Sequence, residues 1–385
     1  MFDFVSFIPR AIVQGIPLLF GSTGETLTEK SGNLNLGIAG IMYVGGISGV
    51  IGAFLYEQGV GGAAGMNGFL AIMIPLLSCL LGSLLMGLLY CFLTVTLRAN
   101  QNVTGLAMTT FGVGFGNFMG GSLIKLTGSE VPSIALSATN SYFSKSLPLA
   151  DKLGWFGQIF LSYGFLAYLA VAIALIAAYV LKHTRVGLHL RSVGENPQTA
   201  DAAGIDVKKY KYVATCVGSM IAGLGGLYYV MDYANGVWSN DGFGDRGWLA
   251  IAIVIFAIWR PKSAILSSFL FGGLYIICVY IPGLSSSAKE LIKMGFYFGI
   301  GGSLTFKNNK KTPEAARIIP MERILLETDS PYLSPVPMRG SRNSPAYIKY
   351  IAEKLAEIKD VSPEQICNTA LNNAYNFFNI KEDLQ

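Results

Sequence analysis

Long apolar runs separated by compact polar patches set the pattern of this chain. Phe7–Leu27, Leu36–Leu55, Phe69–Leu97, Gln158–Leu181, Tyr212–Val230 and Ala264–Ile281 are mainly apolar, and a helix needs about 20 such residues to cross a bilayer. Val103–Phe118 and Gly247–Trp259 are shorter and are expected as re-entrant or broken helices. Irregular backbone survives at membrane depth only inside protein or beside water, so such pieces tend to line a pathway. No soluble β domain is expected before about residue 285.

The most polar interruption is Leu181–Lys211, LKHTRVGLHLRSVGENPQTADAAGIDVKKYK. It carries Lys182, Arg185, Arg191, Lys208, Lys209 and Lys211, together with both histidines of the chain, His183 and His189. Basic loops stay in the cytoplasm, which orients the chain. Within the island, Glu195–Ala203 predicts a short helix. Pro197 suits a first turn, Ala200, Ala202 and Ala203 favour helix, and Gly204 stops it. Three further patches are Gly21–Gly40, with Glu25, Glu29, Lys30, Asn33 and Asn35; Arg98–Gly105; and Asn240–Trp248. Polar groups inside a membrane are costly and point to function; interfacial loops and helix caps are the plainer alternative for each patch.

Composition agrees with a membrane chain: 52% hydrophobic, 13% charged and 46 glycines in 385 residues, glycine being the residue that lets membrane helices approach closely. A net charge of +5 is too small to indicate nucleic acid as a partner and fits basic cytoplasmic loops. Cys79, Cys91, Cys216, Cys278 and Cys367 are scattered and suggest neither a disulfide framework nor a zinc site. The first apolar run contains Arg10 and is expected as a retained first helix rather than a cleaved signal. Averages hide a break, however. Residues 1–285 hold 15 Lys/Arg and 12 Asp/Glu, whereas residues 286–385 hold 13 and 11. The charged fraction therefore rises from about a tenth to about a quarter, the level of soluble domains.

Four ordered motifs carry a family resemblance. TEKSGNLNLGIAG (Thr28–Gly40), RANQNVTGLAMTTFG (Arg98–Gly112), TRVGLHLRSVGENPQTADAAGID (Thr184–Asp206) and GFGDRGWLAIAIVIFAIWRP (Gly242–Pro261) resemble permease subunits of ABC importers for branched-chain amino acids, simple sugars and nucleosides. The GENP form of the island resembles the sugar and nucleoside branch. The resemblance implies that the island is a coupling helix for a cytoplasmic ATPase subunit, with Arg191, Glu195, Asn196, Pro197, Ala200, Ala203 and Gly204 as the coupling residues. It also implies a second permease subunit and an extracellular solute-binding lipoprotein as partners, in a multi-pass plasma-membrane assembly. ATP is then used by the partner, and the chain itself needs no cofactor. No G-x-x-x-x-G-K-[ST] phosphate loop is present. GVGFG (Gly112–Gly116) and GLGG (Gly223–Gly226) lie in apolar runs and are expected to serve helix packing.

Asn33, Asn35, Gln101, Asn102 and Thr104 are the candidates for the solute path. Neutral amides donate and accept hydrogen bonds without burying a charge. The alternative is that they satisfy loose backbone at helix breaks. Ala39 stands where many relatives have a glutamate, which weakens a charged contact at that turn. Asp245 and Arg246 are expected to form an ion pair at a helix start. The NVT triplet at Asn102 is read as a chance match to a glycosylation pattern.

Beyond about residue 288 the chain changes character. Gly295–Gly302 alternates like a strand ending in a glycine turn, Arg323–Leu333 opens as a buried strand, and Pro345–Ile358 and Pro363–Phe377 have helical periodicity. MGFYFGIGGSLTFKN, IPMERILLETDSPYLSPVP and RGSRNSPAYI resemble the C-terminal end of TatD-type metal-dependent deoxyribonucleases, which are TIM barrels. That resemblance makes Asp329 a vestigial metal ligand. A divalent metal would matter only if this part were active, and the histidine ligands the family needs are missing. A barrel remnant is expected to be inactive and poorly folded alone, with strand edges uncovered.

The expected architecture is thus a polytopic α-helical membrane protein with a C-terminal α/β fragment of an incomplete TIM barrel. Residues 1–285 form the permease part, 286–294 the junction and 295–385 the hydrolase-like part. The junction is read as a recombined or misassembled frame in which the last permease crossing is replaced. Counting basic loops inward places the chain near Pro282 outside. Three functions compete: an importer permease for a nucleoside or simple sugar, a metal-dependent hydrolase, and a passive channel or anchor.

Overall fold

Lipid offers the backbone no hydrogen-bond partner, so the apolar runs fold as helices that pair their peptide groups internally. The computed structural model describes residues 4–127, 133–148, 150, 152–280, 292, 295–307, 309, 311–330, 333–339 and 341–380. The chain divides into two units between Ile277 and Cys278. In the first, the order is α1 (Phe4–Lys30), α2 (Ile38–Gly59), α3 (Gly68–Cys91), α4 (Gln101–Thr127), α5 (Ser137–Phe143), α6 (Gly154–Phe160), α7 (Phe165–His183), α8 (Arg185–Glu195), α9 (Pro197–Ala202), α10 (Val207–Tyr228), α11 (Arg246–Phe256) and α12 (Pro261–Tyr280). π turns at Phe92–Thr96 and Tyr229–Tyr233 extend α3 and α10. Among the described residues, five helices are long and apolar enough to cross a membrane: Phe4–Lys30, Ile38–Gly59, Gly68–Thr96, Phe165–His183 and Val207–Tyr233.

The centre of this unit is α1, α2, α3 and α10, and glycine sets their spacing. A Cβ on Gly45 would lie 2.5 Å from the Cα of Gly223, and one on Gly226 would lie 1.9 Å from the carbonyl oxygen of Met42. GLGG is therefore a packing surface. Around it Ile16, Leu19, Phe20, Ile41, Met42, Ile47, Leu227 and Tyr228 are buried.

Several sequence expectations need correction. Val103–Phe118 is not broken: it lies inside the continuous 27-residue helix α4, which at 1.5 Å per residue is about 40 Å long. The break falls before it, at Arg98–Asn100, where Arg98 adopts φ 56° and Asn100 Oδ1 accepts from the Val103 amide at 3.1 Å. Gln158–Leu181 is not one crossing, because α6 ends at Phe160 and α7 starts at Phe165 after Gly164. Gly247–Trp259 is broken as expected. The 11-residue α11 turns at Ile258 and Trp259, both with left-handed φ, before α12. A small antiparallel ribbon, β1 (Ser133–Ala135) on β2 (Val237–Ser239), is the β structure of this unit among the described residues.

One end of this bundle gathers the basic side chains. Lys208 and Lys211 share a cleft with Arg98 and Pro197, Lys30 precedes a turn that meets Gly194, and Trp259 donates to Glu29 next to Arg260. By the positive-inside rule this end is cytoplasmic. The β1–β2 ribbon and the 240–245 loop then lie at the outer end.

The second unit holds β3 (Phe298–Ile300) parallel to β4 (Ile324–Leu326), with Phe298 opposite Ile324 and Ile300 opposite Leu326. α13 (Lys311–Ile318), α14 (Ile348–Lys359) and α15 (Pro363–Phe378) complete it. This unit has a small core of its own. Ile300, Leu304, Ile319, Ile324, Ile351, Leu355 and Ile366 are buried together, and Asn373 Nδ2 donates to Met321 O and Ile324 O, both at 2.8 Å. Leu371, Phe377 and Phe378 stay exposed, as an unfinished barrel requires. The proposed junction, 286–294, lies outside the described residues except for Ile292, as does Pro282.

Candidate functional site

The basic island folds as two helices and the start of a third, not as a loop. Thr184 Oγ1 caps α8 by accepting from the Gly187 amide at 3.1 Å. Glu195 closes α8 instead of opening the short helix, which corrects the predicted start. α9 begins at Pro197, with Asn196 Oδ1 accepting from the Thr199 amide at 3.0 Å. Gly204, at φ 80°, ends it, and the Ile205 amide donates back to Ala200 O at 3.0 Å. Asp206 Oδ1 then accepts from the Lys209 amide at 2.9 Å and starts α10. Only Asn196 separates α8 from α9, and only four residues, Ala203–Asp206, separate α9 from α10.

Glu195, Asn196, Pro197, Ala203 and Gly204 are exposed, whereas Ala200 is 3% exposed and anchors α9 to the body. Arg191 is half-buried, with Nε donating to Gly187 O at 3.4 Å. Beneath α9 a cleft of about 420 Å³ is lined by Thr94, Arg98, Pro197, Asp201 and Lys211. On the α1 side a Cβ on Gly194 would lie 2.3 Å from Lys30 O. α8 thus rests directly on the end of a membrane helix. Asn196→Ala should remove about 1 kcal/mol of capping; hydrogen exchange of the 198–204 amides should accelerate several-fold while α10 is unchanged.

The amides sit at the break between α1 and α2. Asn35 is fully buried; its amide donates to Glu25 Oε1 at 3.0 Å and its Oδ1 accepts from the Gly37 amide at 2.9 Å. Gln101 Oε1 accepts from the Leu34 amide at 2.9 Å, and Asn33 Nδ2 donates to Thr215 Oγ1 at 3.1 Å. The structure therefore brings Asn33, Asn35 and Gln101 together as partners of loose backbone and of α10. Asn102 is exposed on the first turn of α4 and stands apart, while Thr104 is buried on that helix. Glu25 Oε2, Asn33 Oδ1 and Asn35 Nδ2 are buried without a hydrogen bond among the described residues.

Arg246 departs from expectation most clearly. It forms no ion pair with Asp245 among the described residues, where Lys354–Glu357 is the pair found. Instead the guanidinium is buried at 6% exposure, donates to Phe243 O at 2.8 Å and Gln14 Oε1 at 3.4 Å, and lies 4.7, 4.8 and 5.4 Å from the rings of Tyr229, Tyr233 and Tyr275. Aromatic faces replace the carboxylate, because a ring quadrupole attracts a desolvated cation. Asp245 is left in an outer cleft of about 240 Å³ with Tyr43, Thr109, Asp241, Phe243 and Trp248.

These features match known proteins. The family described as branched-chain amino acid transport system / permease component matches residues 7–298. The chain belongs to this family. Nucleoside ABC transporter permease protein NupC of Lactococcus lactis subsp. cremoris (strain MG1363) is 33% identical to this permease over 297 residues, covering 75% of this chain and 88% of that protein. Guanosine ABC transporter permease protein NupQ of Bacillus subtilis (strain 168) is 28% identical over 270 residues, covering 69% and 79%. The protein is therefore a multi-pass membrane component of a transport system, which works with ATPase and substrate-binding partners.

A second family, TatD related DNase, matches residues 273–379 and overlaps the permease match. An uncharacterized metal-dependent hydrolase, YabD of Bacillus subtilis (strain 168), is 47% identical over 98 residues. This stretch covers 26% of the permease chain and spans 38% of that protein's length. Asp329, at φ 52°, sits after β4 near Glu327; a Cβ on Gly301 would meet Asp329 Oδ2 at 3.2 Å and Glu327 Oε1 at 3.4 Å. Two carboxylates flank that turn. Among the described residues no group of three His, Cys, Asp or Glu is placed to hold a metal. The donor set lacks the imidazoles a two-metal hydrolase uses, so it does not fit that group.

The sequence reading missed Tyr43, Asn117 and Trp238. Asn117 in GFGNFMGG and Tyr43 in IMYVGG are single polar residues inside apolar runs, and that isolation was the available signal.

Proposed function

We propose that this chain is the permease subunit of an ABC importer in the plasma membrane, admitting a nucleoside or simple sugar and driven by a separate cytoplasmic ATPase. α9 carries the reading. It is short, capped at both ends, exposed outward and anchored through Ala200, and the adjoining α8 meets the end of α1 through Gly194. A load applied to it by a closing ATPase moves α8, α10 and the end of α1 together. Arg191, Glu195, Asn196, Pro197, Ala200, Ala203 and Gly204 are the proposed coupling set, of which Ala200 transmits and the exposed residues dock. The solute class follows the nucleoside and guanosine permeases that the chain is similar to. Asn33 and Asn35 keep open hydrogen-bonding positions and remain solute-path residues, whereas Gln101 supports the backbone of the α1–α2 break. A second permease subunit and an extracellular solute-binding lipoprotein complete the assembly.

Proteoliposome uptake tests this. Uptake that requires the ATPase and ATP supports the importer, and equal flux without the ATPase would make the chain a passive channel.

The match at residues 273–379 favours a second reading, a hydrolase. We propose that this part is not hydrolytic in this chain. The chain's two histidines, His183 and His189, both belong to the membrane unit. Purified full-length protein with manganese or magnesium and DNA should show no hydrolysis above that of Asp329→Ala. Activity present in the parent and lost in the variant would restore the hydrolase.

A further inference from the structure

The outer end of the bundle contains a closed hydrogen-bond ring that the coupling mechanism does not use. Tyr43 OH donates to Asn117 Oδ1, Asn117 Nδ2 donates to Asp241 Oδ1 at 2.8 Å, and the Asp241 amide donates to Tyr43 OH at 2.9 Å. The ring ties α2, α4 and the loop before α11 together. Asp241 adopts φ 58°, a left-handed conformation in which Asp and Asn are the tolerated non-glycine residues. Tyr43 is held edge-on against Trp238, centroids 5.1 Å apart, and against Phe243, 6.3 Å apart. Every member is therefore fixed before any ligand arrives, as a preorganised site requires.

The cleft of about 240 Å³ opens beside this ring and is lined by Tyr43, Thr109, Asp241, Phe243, Asp245 and Trp248. Its chemistry is selective. Asp241 Oδ1 is committed to Asn117, and Oδ2 takes no hydrogen bond among the described residues. Asp241 and Asp245 are exposed and line the cleft, whose lining holds no Lys or Arg, while the neighbouring Arg246 is buried and engaged by Phe243 O, Gln14 and three tyrosine rings. The cleft thus presents carboxylates and no accessible cation, which disfavours phosphate and other anions. It offers acceptors for neighbouring hydroxyl donors. Trp248 is 40% exposed at its rim, a flat face on which a planar base can stack.

We propose that Tyr43, Asn117 and Asp241 form an outward-facing reception site for a neutral vicinal diol, the ribose of a nucleoside or a free pentose. Asp241 accepts from the two hydroxyls, and Trp248 covers the base when there is one. The size of the cleft suits one sugar ring, with the base lying outside on the indole. The site deepens the importer reading and rests on it for its place in transport, since the outer end is where an importer meets its solute.

Equilibrium dialysis of the full-length protein in detergent, with no ATPase present, tests the site directly with radiolabelled uridine, ribose and 2′,3′-dideoxyuridine. Uridine is expected to bind at least tenfold more tightly than dideoxyuridine. Asp241→Asn should weaken uridine about tenfold and erase that preference. Trp248→Ala should weaken uridine several-fold and leave ribose unchanged. Binding of uridine alone assigns the diol to a nucleoside, and equal binding of ribose assigns it to a sugar; either supports the site. No saturable binding of uridine or ribose by the parent, or parent-like preference in Asp241→Asn, would overturn it. Intact binding with no ATP-driven uptake would sink the importer reading and leave this site standing.

Discussion

Gly226→Leu is expected to leave no folded protein in the membrane. A Cβ at residue 226 would lie 1.9 Å from Met42 O, 2.8 Å from Gly46 N and 2.9 Å from Met42 C. All three are backbone atoms, so no rotamer change relieves the overlap and α2 must leave α10. Gly46 cannot give way either, since its own Cβ position lies 3.1 Å from the carbonyl carbon and oxygen of Gly226. The displaced contact is the centre of the unit, where Met42, Ile47, Leu227 and Tyr228 are all within 1% of full burial. Membrane helices gain no hydrophobic term from pairing and depend on close van der Waals approach. Loss of that approach belongs with the rare substitutions above about 4–5 kcal/mol. Gly114→Leu is the control, because a Cβ there meets nothing within 4 Å; it should change stability by less than about 0.5 kcal/mol. Size-exclusion chromatography of fluorescent fusions should show a single sharp peak for Gly114→Leu and only aggregate for Gly226→Leu. A normal peak for the latter would mean that α2 and α10 do not meet as described.

The same contrast explains what the sequence made legible. Membrane crossings follow from composition, and α1, α2, α3 and α10 were readable because their apolar runs are long. α4 was not, because Gln101, Asn102, Thr104, Thr109, Thr110 and Asn117 dilute its hydropathy while packing, not composition, keeps it helical. The Gln158–Leu181 run misled for the opposite reason. Its composition is continuous, yet Gly164 approaches Asp232 Oδ1 and Phe143 O so closely that a Cβ would lie 2.2 and 2.3 Å away, and the chain turns there. Cap signals were locally encoded, and so Pro197 and Gly204 were placed correctly, although the short helix starts after the Asn196 cap and not at Glu195. Arg246 was unreadable in principle. Its nearest acid is adjacent in sequence, but beyond the local Phe243 O its partners lie at residues 14, 229, 233 and 275. Three-dimensional neighbours over such separations leave no local trace.

Ala203→Trp is expected to stop transport without unfolding the protein. Ala203 is exposed at the end of α9, and the neighbouring Gly204 is already in the left-handed conformation, so a large side chain projects outward and displaces nothing inside. What it obstructs is the docking of a partner on Glu195–Gly204. Disrupting the centre of such a contact typically costs about 2–4 kcal/mol, which is about 30- to 1,000-fold in an equilibrium. ATP-driven uptake should therefore fall by roughly a hundredfold, while the amount of protein in the membrane and its thermal midpoint stay at the parent's values. Ala200→Trp separates docking from transmission. Ala200 is 3% exposed, so tryptophan there lifts α9 off α8 and α10. The ATPase should still bind that variant and hydrolyse ATP, but uptake should be lost, because the lever no longer rests on the membrane helices. The same pair of variants leaves the outer cleft untouched, and binding of uridine in the absence of ATPase should be identical to the parent in both. Normal uptake by Ala203→Trp would remove the exposed end of α9 from the coupling mechanism.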